Sequence, residues 1–188
     1  MRKIGTAFIA LAPLLLGSAA CPAREQAAAV EEQPVTPGPA AASALCKPVE
    51  QVIFECGLGE RTVAICAGGS GETRYVQYRY GTADALELQH PAQPFGSGTL
   101  AWSSTPYSGG GEAQISFDNG AYTYVVYSRT VRTGFGEGGN APEFSAGLFV
   151  QRDGRTISRK SCTDPAAAEV DIAAAQELLP PGAFRYDD

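Results

Sequence analysis

Glu112–Tyr127 reads EAQISFDNGAYTYVVY. Large apolar or aromatic residues recur at alternate positions on both sides of Asn119-Gly120, the period of a half-buried strand and not of a helix. Asn-Gly tolerates the positive φ that a tight hairpin turn demands, so two antiparallel strands are expected here. With Asn119-Gly120 at the tip, Phe117 would face Tyr122 and Ile115 would face Tyr124, all on one side.

The same reading extends outward in both directions. QVIFECGLGERTVAIC (Gln51–Cys66) makes a hairpin turning at Leu58-Gly59, with Val52 opposite Ile65 and Phe54 opposite Val63. Cys56 then shares their face and Cys66 takes the other, so a bridge straight across this hairpin is not expected. In YVQYRYGTADALELQHP (Tyr75–Pro91), Val76, Tyr78 and Tyr80 share a face that Leu86, Leu88 and His90 continue. AGLFVQRDGRTISRKSC (Ala146–Cys162) turns at Asp153-Gly154 and sets Val150 against Ile157. Four hairpins imply an all-β domain, a small antiparallel barrel or sandwich of about eight strands. DPAAAEVDIAAAQELL (Asp164–Leu179) adds a short C-terminal helix, with Asp164 as N-cap and Pro180-Pro181-Gly182 as the stop.

Ahead of the hairpins the chain changes character. Residues 1–20 carry basic Arg2 and Lys3, an apolar Ile4–Leu16 run and small residues, which is an export signal too short for a membrane span. Ser18-Ala19-Ala20-Cys21 fits a lipobox, in which Cys21 becomes a lipid-bearing N-terminus. Of the five cysteines, removing Cys21 leaves Cys46, Cys56, Cys66 and Cys162, an even set suited to disulfides in an oxidising compartment. Three pairings of those four are possible, with Cys162 an obvious partner for one strand cysteine. Residues 21–45, rich in Ala, Pro and Glu, read as a disordered tether. Residues 46–162 form the disulfide-stapled β-domain, and 163–188 a helical or disordered tail. The expected location is exported: outer-membrane-anchored and facing the periplasm, otherwise periplasmic or secreted.

Charge and motif narrow the function. The net charge of −6 resides in the segments flanking the β-domain, which is nearly neutral and lacks the basic, aromatic-interleaved face of a nucleic-acid binder. Arg152, Arg155, Arg159 and Lys160 cluster near the last turn, as guards on an exposed sheet edge do. His90 is the single histidine, and core-side parity makes it a packed, strand-end residue, so neither a Ser-His-Asp site nor a metal centre is expected. Gly109-Gly110-Gly111 is followed by Glu112 and a strand, where a phosphate loop needs a lysine and a helix, so it reads as a flexible connection or bulge. Glu55, Glu60, Glu87 and Glu112 are the carboxylates available to a hydrolase. Tyr107 and Tyr127, lying apart from the aromatic core face, are expected to be exposed and, with Ser108 and Glu112, to form a binding site. The loops Thr105–Gly111 and Thr133–Ala141 would be the contact elements.

Two resemblances accompany this reading. FECGLGERTVAIC followed by RYVQYRYG and LELQHP resembles a family of small exported proteobacterial proteins of unknown function, carried here by Cys56, Cys66, Tyr78, Arg79, Tyr80, Gly81, Leu88 and Pro91. Ser108-Gly109 and Phe117-Asp118-Asn119-Gly120 more distantly resemble the loops of bacterial inhibitors of c-type lysozyme, with Asn119 where a lysine would stand. The first implies no activity; the second implies a non-catalytic inhibitor. Together with the residues they imply an envelope binding or inhibitor module whose partner is an envelope protein or glycan. It would take no cofactor and would reach the membrane only through the lipid at Cys21. The alternatives are a hydrolase using carboxylates near His90, and a structural spacer.

Overall fold

The computed structural model describes residues 43–94, 99–136 and 139–188. The expected signal peptide, Cys21 and most of the tether lie outside them. Among the described residues, nine strands form two antiparallel meanders. The first sheet holds β1 (Gln51–Gly57), β2 (Thr62–Gly68), β3 (Tyr75–Gly81) and β4 (Leu86–His90) in that order. The second holds β5 (Ala101–Tyr107), β6 (Gly110–Asn119), β7 (Tyr122–Gly136), β8 (Gly139–Arg152) and β9 (Arg155–Ser161). The two sheets are separate, so the fold is a sandwich.

Alternation dictates what fills the space between the sheets. Phe54, Cys56, Val63, Ile65, Ala67 and Tyr78 of the first sheet join Ala113, Ile115, Phe117, Val126 and Leu148 of the second in one buried cluster. Tyr78, Phe117 and Tyr124 pack ring to ring there, with Phe117 and Tyr124 stacked at 5.0 Å between centroids. Most of the expected face assignments hold, Val52 and Leu86 excepted, while two registers move. The first hairpin closes a longer loop through the Leu58 N–H to Arg61 carbonyl bond, so Phe54 pairs with Ile65 and Cys56 with Val63. At the third, the turn residues are Gly120-Ala121 and Phe117 pairs with Tyr124, because Gly120 at φ 64° takes the first central position of the turn. Each shift is two residues, which by itself keeps the paired side chains on their expected faces.

Bulges alter the faces themselves, and the register step between Tyr80 and Gly81 leaves Leu86, expected on the core face, 46% exposed. An extra residue between Val52 and Phe54 turns Ile53 into the core at 1% exposure and Val52 out at 39%. A second bulge pairs Val150 with Ser158, not with Ile157, which is 56% exposed. The glycine run forms neither a flexible connection nor a bulge: β5 and β6 meet at the two-residue turn Ser108-Gly109, with Gly109 at φ 81°. A side chain on Gly110 would meet the Thr130 carbonyl at 1.9 Å, so the neighbouring strand itself demands glycine there. The supposed loop Thr105–Gly111 is therefore mostly strand. Likewise β7 and β8 pair up to Gly136 and Gly139, so the second supposed loop is the end of a long hairpin.

Both outer faces are covered by chain ends. Over the first sheet lie Leu45 and Cys46, both buried, although Leu45 belongs to the tether in the sequence reading. Cys46 is bonded to Cys66 of β2, and Cys56 of β1 is bonded to Cys162 just beyond β9. Beneath this cover Arg79, 3% exposed, donates from its two terminal nitrogens to the two carboxylate oxygens of Glu50 at 2.6 and 2.7 Å. Burial pushes the Glu50 carboxyl up, but Arg79, the Tyr75 hydroxyl and the Lys47 N–H outweigh it and hold the carboxyl down to about 2.

The C-terminal segment is equally integrated. The expected short helix occupies only the later part of the Asp164–Leu179 stretch. Asp164 accepts only from Ala167 across a turn, and the helix α1 (Ile172–Leu178) starts at Asp171, whose carboxylate accepts from Ala174 N–H at 3.0 Å. Ala168, Val170, Ala174, Ala175 and Leu179 enter the inter-sheet core. Beyond α1, Pro180 and Gly182 bracket Trp102 of β5 with two backbone hydrogen bonds.

Candidate functional site

β6 and β7 carry the aromatic hairpin identified in the sequence, and their outward positions build a polar site. Glu112 pairs with Arg129 across the two strands, and Tyr107 of β5 reaches in from the neighbouring edge. The Tyr107 hydroxyl donates to the Glu112 carboxylate at 3.0 Å, and Gln114 Nε2 donates to its other oxygen at 2.7 Å. Arg129 stands 3.8 Å away with its side chain 44% exposed, against 7% for Glu112. Burial, reinforced by the hydrogen bond to Glu112 and by that carboxylate's charge, pushes the Tyr107 phenol up to about 12.

Tyr107, Glu112 and Tyr127 converge on one pocket of about 180 Å³, closed over by Phe184–Asp188. Contrary to the sequence expectation, Tyr127 is buried at 6% exposure, against Phe149 and under the C-terminal segment. Burial pushes its phenol up. Two buried glutamines hold that segment down. Gln114 exchanges two hydrogen bonds with the Arg185 backbone, at 2.8 and 2.9 Å, and Gln151 donates to the Tyr186 carbonyl at 2.6 Å. Sequence reasoning missed both glutamines. Gln114 falls on the polar phase of β6 with Glu112, Ser116 and Asp118, the side an amphipathic strand leaves to solvent, so nothing in the strand pattern marks it for burial; its partner is supplied by the distant chain end.

Glu112 and Arg129 also line a larger cleft of about 360 Å³, open between the β5–β6 hairpin and the 165–172 segment. Pro106, Phe144 and Ile172 supply its apolar wall and Glu169 a second carboxylate. Phe144 is 44% exposed. Ser108, at the hairpin turn, is exposed and lines neither cavity.

His90 sits elsewhere. Its ring stacks on Phe117 at 4.2 Å in the inter-sheet core, and burial lowers its pKa. Its Nε2 is buried with no hydrogen-bond partner, and no carboxylate is bonded to it among the described residues. Of the other carboxylates, Glu55 accepts from Ser43 and Ala44, and Glu87 pairs with Arg61. Cys46, Cys66 and Glu50 lie within metal-ligand distance of one another, but both sulfurs are committed to a disulfide and the carboxylate to Arg79. Among the described residues no helix is long and apolar enough to cross a membrane.

Comparison with family models, with curated proteins and with solved structures finds no match to this chain.

Proposed function

We propose that the chain is an exported, lipid-anchored binding module that engages an envelope partner through the cleft beside Glu112 and Arg129, with no catalytic step of its own. The observation that carries this reading is the composition of the cleft. An exposed phenylalanine, two prolines and an isoleucine lie next to a buried carboxylate and a half-exposed guanidinium, the mixture of apolar anchor and directional polar group that recognition sites use. Glu112 is held by two neutral donors and one cation. Such fixing favours a ready-made hydrogen-bonding surface over a proton-transfer group.

The export part rests on the signal-like N-terminus, the Cys21 lipobox and two disulfides, which are typical of exported proteins. A photo-crosslinking residue at Thr105, introduced in intact cells, is expected to trap one discrete envelope partner, and Arg129→Ala is expected to abolish the adduct. Absence of any adduct from Thr105, or an adduct indifferent to Arg129, would overturn the reading. Titration against c-type lysozyme tests the inhibitor version directly.

A further inference from the structure

A second cavity lies between the two sheets at their free edges and shares no lining residue with the cleft. Its volume is about 290 Å³, and it is lined by Tyr78, Tyr80, Glu87 and Leu88 of the first sheet and by Tyr124, Leu148, Val150, Ser158 and Lys160 of the second. The slot exists because of β9. Residues directly opposite one another in an antiparallel pair point to the same side. Ser158 is opposite Val150 and Lys160 opposite Leu148, so a hydroxyl and an ammonium stand where a sandwich would ordinarily place apolar side chains. The Ile157 bulge sets this parity by displacing an isoleucine from the ladder.

The lining is chemically specific. Three phenol rings and three aliphatic side chains form the walls. Tyr78 is 1% exposed, packs against the Phe117 and Tyr124 rings, and lines the slot. At the rim, Glu87 is already paired with Arg61, whereas Lys160 has no ion pair among the described residues. The unmatched charge at the mouth is therefore positive. An acyl chain would leave the phenol and serine hydroxyls unsatisfied. A planar aromatic acid would satisfy at most a few of them. A pyranose offers both an apolar face of C–H groups for the tyrosine rings and a girdle of hydroxyls. The slot is at the lower end of ligand-pocket volumes, which fits one ring and not a chain of them.

We propose that this slot binds a single acidic sugar ring, a hexuronate or a similar carboxylate-bearing pyranose. Its apolar face lies against the tyrosine walls, Tyr78 and Ser158 bond its hydroxyls, and Lys160 pairs with its carboxylate. The competing account is that Lys160 only guards the β9 edge against pairing with another sheet.

The test is titration of the isotope-labelled full-length protein with D-glucuronate, D-glucose and dodecanoate, following backbone amide shifts. Glucuronate is expected to give saturable shifts in β3, β4, β7, β8 and β9, and glucose weaker ones. Lys160→Gln should reduce the preference for glucuronate over glucose about tenfold, and Tyr78→Phe should weaken both sugars. Lys160 is an exposed edge residue, so Lys160→Gln should leave the melting temperature unchanged, which separates lost binding from lost folding. No saturable shift from either sugar, shifts from dodecanoate alone, or an unchanged preference in Lys160→Gln would each overturn the proposal.

Discussion

Replacing Glu50 by glutamine tests the cover over the first sheet. The carboxylate accepts from both terminal nitrogens of Arg79 at 2.6 and 2.7 Å, from Tyr75 at 2.6 Å and from the Lys47 N–H at 2.6 Å. Glu50→Gln would keep the size and lose the charge, leaving the Arg79 guanidinium buried with neutral acceptors alone: one amide oxygen at position 50, the Leu45 carbonyl and the Gln77 amide oxygen. Breaking a buried pair in this one-sided way costs about 3–5 kcal/mol. The titration of Glu50 gives an independent figure. A carboxyl lowered from 4.5 to about 2 contributes about 3 kcal/mol, the same order. The folded pKa lies below the unfolded one, so this contribution is complete above pH 4.5 and disappears as pH falls toward about 2. Urea unfolding of oxidised protein at pH 7 should therefore show Glu50→Gln less stable by about 3–4 kcal/mol. The gap between wild type and variant should shrink steadily below pH 4.5. A loss under about 1 kcal/mol at pH 7, or a gap independent of pH down to about 2.5, would refute a desolvated, hydrogen-bonded pair.

Gly110→Ala should destabilise the domain by several kcal/mol, read by thermal unfolding, since the new methyl meets the Thr130 carbonyl at 1.9 Å. A neutral result would return the glycine run to a functional role. Removing the Cys56–Cys162 bond by paired Cys→Ser changes should cost more than removing Cys46–Cys66, because the enclosed separations are 106 and 20 residues; on loop entropy alone the losses are about 4.7 and 3 kcal/mol. Glu112→Gln should lower the Tyr107 phenol from about 12 while leaving it above 10, because burial persists; ultraviolet titration of wild type and variant checks this. Gln114→Ala should accelerate amide exchange in Phe184–Asp188 far more than in β6, since the strand ladder keeps its backbone bonds.

Period-two alternation was enough to specify the sandwich faces, because a register error of two residues preserves them. That is why Phe54, Val63, Ile65, Ile115 and Phe117 all reach the core although their pairings differ from the expected ones. A bulge has no such protection. It moves a strand by one residue, and neither Ile53 nor Ile157 announces by type that it will be the inserted one. The site was legible in part. Tyr107, Glu112 and Tyr127 do gather at one pocket, but the burial of Tyr127 depends on a chain end far downstream, beyond the reach of local pattern. The Glu50–Arg79 pair was hidden for the same reason. Its arginine sat in a motif read for its tyrosines, and its partner stood ahead of the first strand.

The Cys46–Cys66 bond has a mechanical consequence. A pull applied to the chain ahead of Cys46 does not load β1 through the intervening Lys47–Glu50 segment. It crosses the sulfurs directly into Cys66 of β2, a strand hydrogen-bonded on both sides by β1 and β3. Peeling an edge strand breaks its bonds one after another, whereas dragging an inner strand along its own axis loads two ladders at once. The other bond, Cys56–Cys162, then limits how far the chain between those two residues can extend. A domain wired in this way resists force from its N-terminal side at its strongest sheet position, with the stretch from Cys46 to Cys66 held slack.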